Sequence, residues 1–143
     1  MIIMEIKKAS TQKDFFGLVQ LRTEVFVLEQ KVDIQIEQDI KDFTAIHYIV
    51  WDNNEAVGCL RILDEEEYAV IGRVAVKKSR RKEKIGYALM RAIENDPFIK
   101  SKGKISLHAQ RSAENFYIKC GYKIASEPYI EAGIEHVMME KIL

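Results

Sequence analysis

The chain has 143 residues, 48% of them hydrophobic, with 22 basic and 22 acidic side chains and a formal net charge of zero. That length fits one domain spanning 1–143, with enough apolar residues for a sizeable core. The neutral balance argues against a general nucleic-acid binder, which carries a basic excess over a whole face, and no apolar run approaches the ~18 residues of a membrane span.

Residues 2–8 alternate in polarity and read as a short strand, and the first eight residues are too polar for a signal peptide. Thr11-Gln12-Lys13-Asp14 has the form of a capping box, in which hydroxyl and carboxylate satisfy free backbone donors. The helix after it places Leu18, Leu21, Val25 and Leu28 on one face. Residues 46–51 have strand composition, Asp52 to Glu55 form a turn, and 56–63 return as the second arm of a hairpin. Asp64 to Glu67 form an acidic, solvated turn, and 68–76 add a third strand to the meander.

A helix covers 85–95 with Ile85, Leu89, Ala92 and Ile93 on its buried face, and Asp96-Pro97 ends or bends it. A strand at 104–109 precedes a helix capped by Ser112, on which Ala113, Phe116, Tyr117 and Cys120 share a face, and Gly121 stops it. Two last strands, 122–129 and 135–142, flank a turn at Glu131-Ala132-Gly133. The terminal strand offers an edge to a second copy, so a homodimer stays open. The sum is an α+β fold: a mixed, mostly antiparallel central sheet with helices on both faces. Cys59 and Cys120 lie far apart with no CxxC spacing, which predicts reduced thiols in a cytoplasmic protein.

Between the third strand and its helix runs VKKSRRKEKIGYAL, residues 76–89. Six of the eight residues from Lys77 to Lys84 are basic, so this stretch carries +5 and the rest of the chain −5. A solvated loop, a nucleic-acid patch and a phosphate-binding loop compete as readings. The order strand, basic loop, helix suits a phosphate, because a helix start presents unpaired N–H groups and the positive end of its dipole. Gly86 in the first turn would let backbone approach such a ligand. One glycine and a basic loop do not by themselves separate this from a solvated loop.

The stretch GRVAVKKSRRKEKIGYAL resembles the pyrophosphate-binding segment of the GNAT superfamily of N-acetyltransferases, whose motif falls here on Arg81, Lys84 and Gly86. The middle position is Lys84 rather than a small residue, which backbone binding tolerates if its φ is negative. AENFYIKCGY, Ala113 to Tyr122, resembles the family's later helix and strand, and the element order is the family's across nearly the whole chain. LRTEVFVLEQ, and the residues AQ, FY, GY and YIEAGIEHVMM between Ala109 and Met139, are similar to the ElaA-like subgroup.

The resemblance implies that the pantetheine arm of acetyl-CoA lies between two splayed core strands, against the backbone of Val74, Ala75 and Val76. Arg81, Lys82, Glu83, Lys84, Ile85 and Gly86 would wrap the pyrophosphate, chiefly through main-chain N–H groups. The side chains of Arg80 and Arg81 would reach other phosphates, and Asn115 would face the cofactor. The implied activity is direct transfer of an acetyl group from acetyl-CoA to a primary amine of a small molecule or peptide. The alternative is a non-catalytic acyl-CoA-binding regulatory module.

Tyr117 matches the family position of the acid that protonates the leaving thiolate, although its spacing alone marks a core residue. His136, Glu24, Glu29 and Glu131 are candidate general bases, with water relaying the proton to the backbone or a distant carboxylate as the alternative and a purely structural hydrogen bond as the other role for His136; Gly72 cannot serve. Arg73 is expected to be a part-buried ion with a partner, tying strand to helix. Arg22, Glu24 and Gln30 either shape an acceptor site or hold the first helix. His47, His108 and His136 are widely separated, with no second ligand at metal spacing, so no metal is expected. No nucleophile elbow is present, and the expected partners are acetyl-CoA and an amine, not nucleic acid or membrane.

Overall fold

A computed structural model describes residues 4–143, so the first two positions of the expected strand at 2–8 lie outside the described residues. Eight strands form one sheet: β1 (Met4–Lys8), β2 (Ile46–Asp52), β3 (Glu55–Asp64), β4 (Ala69–Val76), β5 (Lys104–Gln110), β6 (Lys123–Ile124), β7 (Tyr129–Glu131) and β8 (Ile134–Ile142). Their order is β1-β2-β3-β4-β5-β8-β6, with β7 also on β8. The pair β4–β5 is parallel and the other pairs are antiparallel.

Alternation along the strands sends successive side chains to opposite faces, and each face takes its own helices. On one side α1 (Gln12–Arg22) and a π-helix at Thr23–Glu29 pack Leu18, Leu21 and Val25 on Ile49, Trp51, Cys59 and Ala75. The short α2 (Ile34–Glu37) and a 3₁₀ turn at Ile40–Phe43 follow. On the other side α3 (Ile85–Ile93), α4 (Pro97–Lys102) and α5 (Glu114–Lys119) bring Leu89, Ile93, Ile99 and Tyr117 onto Leu60, Ile62, Ile71 and Leu107. No helix among the described residues is long and apolar enough to cross a membrane.

The capping box forms as expected: Asp14 N–H donates to Thr11 Oγ1 at 3.1 Å, and Thr11 N–H donates to Asp14 Oδ2 at 3.3 Å. Other expectations are corrected. Leu28 is 63% exposed rather than on the buried face. From Thr23 the chain winds with wider turns, as in the Gln30 N–H to Val25 carbonyl bond across five residues, and Leu28 no longer returns to the face of Val25. Ser112 does not cap a helix: it sits in a 3₁₀ turn at Arg111–Ala113, and α5 starts at Glu114 without a side-chain cap. Asp96-Pro97 ends α3 and also starts α4, with Asp96 accepting from Phe98 N–H and Pro97 in the first turn.

The single strand expected at 122–129 is two short pieces, β6 and β7. Between them Ser126 Oγ takes the Met138 N–H at 2.9 Å, and Pro128 has no N–H to give the ladder. The last strand is not an edge: β8 lies between β5 and the β6 and β7 pieces. The turn at Glu131–Ile134 forms as expected, with φ of +51° at Ala132 and +75° at Gly133, the pattern of a type I′ hairpin.

Candidate active site

The site begins where the sheet divides. β4 and β5 pair only from Ala69 to Ile71 and from Ile105 to Leu107. Beyond that point β5 continues along β8 to the pair Gln110 and His136, while β4 from Gly72 to Val76 keeps only β3. Those five residues therefore carry an open backbone edge. A bulge sits at the point of parting: between the pairs Arg61 with Gly72 and Cys59 with Ala75, Leu60 alone faces Arg73 and Val74. Arg73 adopts the left-handed region, φ +51°.

The basic run closes one end of this gap. It forms a 3₁₀ turn at Lys78–Glu83, then Lys84 enters α3 with φ +61°. The condition of a negative φ at Lys84 is not met: the position is left-handed, which is why a small residue suits it, and a lysine there costs about 1–2 kcal/mol. Lys84 makes no side-chain cap bond, so α3 starts with its first N–H groups uncapped. A Cβ on Gly86 would stand 3.2 Å from Phe116 Cζ and 3.6 Å from Val76 Cγ2, so this glycine lets α3 pass close to α5.

The arginines of the run already have partners. Arg80 pairs with Asp52 at 2.8 Å and Glu83 at 2.7 Å. Arg81 makes two bonds of 2.6 Å to Glu29, and its Nε donates to the Val76 carbonyl at 3.0 Å. These bonds hold the Glu29 carboxyl below its ordinary range. Lys82 and Lys84 make no ion pair with any described residue. Ile85 is buried in the core, and Asn115 is exposed on α5; neither lines the trough described next.

A trough of about 670 Å³ runs along the gap, and Gly72, Val74, Tyr117 and His136 all line it. Tyr117 is 8% exposed with its ring 4.9 Å from that of Phe116, and burial pushes its hydroxyl pKa well above the ordinary value. His136 Nδ1 lies 2.6 Å from the Ile134 carbonyl, so that nitrogen carries the proton and Nε2 keeps its lone pair in the neutral ring. Nε2 faces Glu131 at 3.9 Å, and the ring stacks on Tyr129. His108 meets the Tyr129 hydroxyl and stands 3.9 Å from the other oxygen of Glu131. Among the other base candidates, Glu131 lines the trough; Glu24 is engaged by Lys77 at 3.6 Å and Glu29 by Arg81, both outside it.

The opposite wall is formed by Phe26, Gln30, Ile36 and Asp39, and it hangs on buried ions. Arg22, 2% exposed, donates to Glu37 Oε1 at 2.5 Å and to both oxygens of Asp42 at 2.8 and 3.1 Å. Arg61 donates to Asp39 at 2.7 Å and Asp42 at 2.9 Å. Burial raises the Asp42 pKa, but the hydrogen bonds and charge of Arg22 outweigh it and bring the carboxyl down to about 2. Arg22 thus holds α1 to the chain at 37–42, while Gln30 reaches into the site and accepts from Gln110 at 2.8 Å. Sequence reading offered Arg22 as a residue that holds the first helix and Arg73 as a tie from strand to helix, as both are found, but it missed Arg61 and the partners of all three. The network's one signal was Arg22 standing in phase with the buried Leu18 and Leu21, where a cation needs partners.

A sheet that parts between two parallel strands, with an uncapped helix start at the mouth of the gap, is the architecture of a GNAT-type acyltransferase. The family model for the acetyltransferase (GNAT) domain matches residues 6–143, and the chain belongs to that family of enzymes. It is 38% identical to the protein ElaA of Escherichia coli over 132 residues, 88% of this chain and 86% of that one. The crystal structure of ElaA superimposes with a TM-score of 0.82 at 33% identity, covering 98% and 99% of the two chains. YjcF of Bacillus subtilis, named as an uncharacterized N-acetyltransferase, is 35% identical over 94% of this chain and 95% of its own. An acyl-CoA N-acyltransferase from Pseudomonas aeruginosa gives a TM-score of 0.84 at 32% identity over 98% and 99% of the chains.

Proposed function

We propose that this protein transfers an acetyl group from acetyl-CoA to a primary amine of a small molecule or peptide, directly and without an acyl-enzyme. The observation that carries the proposal is the open edge of β4 from Gly72 to Val76, lying between an uncapped helix start and the Tyr117 side chain. An extended, amide-bearing arm can pair with such an edge as a missing strand would. The backbone N–H groups around Lys82, Glu83, Lys84, Ile85 and Gly86 suit a pyrophosphate.

The bound donor supplies an activated thioester. His136 Nε2, with its proton fixed on Nδ1, takes the proton that the amine must lose before or during attack. A backbone N–H near Val74 receives the negative charge that gathers on the carbonyl oxygen. Tyr117 hydrogen-bonds the departing sulfur and gives it a proton. Its own raised pKa keeps it protonated, and the same apolar wall raises the basicity of the thiolate it faces. The cycle closes when solvent returns a proton to the Tyr117 phenolate and takes up the one held by His136.

The test is incubation with acetyl-CoA and a panel of primary amines: a lysine peptide, a polyamine and an amino sugar. Thiol release and the mass of the product are read together. Tyr117→Phe is expected to slow turnover at least ~10-fold with CoA affinity unchanged. CoA binding without any acetylated amine would contradict the proposal.

A further inference from the structure

Arg73 has two unusual properties at once. Its backbone is left-handed within a strand, at the bulge where β4 leaves β5. Its guanidinium reaches across the trough to the end of α2, with Nε on the Glu37 carbonyl at 3.0 Å. A terminal nitrogen lies 2.9 Å from the same carbonyl and 3.3 Å from that of Ile36, and also meets Asp39 Oδ2 at 3.3 Å. A residue without glycine's freedom holds a left-handed conformation only when its surroundings over-determine it.

We infer that Arg73 is a positioning residue for acyl transfer: its clasp on the last carbonyls of α2 fixes the twist of β4 that aims the Val74 N–H at the thioester oxygen. The inference rests on the assignment of that N–H as the oxyanion donor.

The direction of the peptide supports it. The Arg73 carbonyl faces Cys59 Sγ at 3.9 Å, on the α1 side of the sheet. In a trans peptide the N–H points opposite to the C=O, so the Val74 N–H points away from Cys59. A left-handed residue rotates the peptide plane that follows it, and that plane is Arg73–Val74. The side chain holding the rotation grips Ile36 and Glu37, which line the trough wall opposite β4. One residue therefore sets both the aim of the donor and its distance from the wall across the trough.

The test uses Arg73→Gly, which keeps the left-handed conformation and removes the clasp, and Arg73→Lys, which keeps charge but not the forked hold on two carbonyls. The readout is the infrared stretch of the thioester carbonyl of bound acetyl-CoA, which falls in frequency when an N–H polarises it and needs no amine. The wild type is expected to show the fall. Arg73→Gly is expected to bind acetyl-CoA as tightly but lose most of the fall, with Arg73→Lys intermediate. With an accepted amine, kcat of Arg73→Gly is expected to drop about 10²-fold, the cost of a misplaced reacting group, at unchanged KM for acetyl-CoA. Should Arg73→Gly fail to fold, a partial loss in Arg73→Lys carries the same conclusion. A wild-type stretch in whichever variant folds overturns the inference, as does a wild type that binds with no fall. A wild type that does not bind acetyl-CoA overturns the proposed function, and the inference with it.

Discussion

At the phosphate end of the cleft, the chain between β4 and α3 is held by ion pairs that water reaches: the Arg81 and Glu29 side chains are 39% and 27% exposed. At the acceptor end, the chain from α2 to Phe43 hangs on Arg22 and Glu37, each 2% exposed. Exposed pairs contribute ~1 kcal/mol or less and are screened by salt. On the proposed function, a phosphate would replace Glu29 as the partner of Arg81 at little cost to the fold. A buried charge left without its partner is far more costly. On the proposed function, the end that would admit a mobile anion is held loosely, and the end that would shape an amine site is held by buried ions.

That contrast is broken most sharply by two matched substitutions. Arg22→Ala is expected to cost about 3–5 kcal/mol in urea unfolding, by stranding Glu37 and Asp42. Arg81→Ala is expected to cost under ~1 kcal/mol in the same measurement. Equal losses would erase the difference between the two ends.

Acid sharpens the same comparison. Asp42 is held at about 2 in the folded protein, below its ordinary value near 3.8. Its contribution is full above about pH 4 and is lost as pH falls from there towards 2, because the unfolded chain takes up the proton first. A pH series of melting temperatures should fall across that window, and Asp42→Asn should be less stable at neutral pH with a flatter fall. A smaller effect belongs to the phosphate end. Lys84→Gly is expected to raise stability by about 1 kcal/mol, since glycine adopts φ near +60° without strain. A loss instead would mean that the Lys84 side chain supports the loop by contacts of its own.

The parts legible in the sequence are those whose cause is local. The Thr11 capping box, the β2–β3 hairpin, the Ala132-Gly133 turn and the strand, basic loop and helix from 69 to 93 each follow from neighbouring residues. Asp96-Pro97 was a start signal as well as a stop, since aspartate before a first-turn proline is how a helix begins. The π-helix leaves no comparable trace in the local residues, and so Leu28 fell on the wrong face. The Arg22, Arg61 and Arg73 network joins residues far apart in the chain, and nothing near any of them names the partner. Of the residues tied to transfer, Tyr117 and His136 do meet in one trough, but Asn115 stands outside it and the Arg80 and Arg81 side chains are engaged with carboxylates.

The most direct test of the whole account is amide hydrogen exchange with and without saturating acetyl-CoA. Slowed exchange is expected at residues 73–76 of β4 and 82–87 at the start of α3, the two backbone stretches left without partners at the gap. Protection confined to a second cavity, of about 630 Å³ between α1 and the β2–β3 turn, or no protection at 73–76, would contradict it.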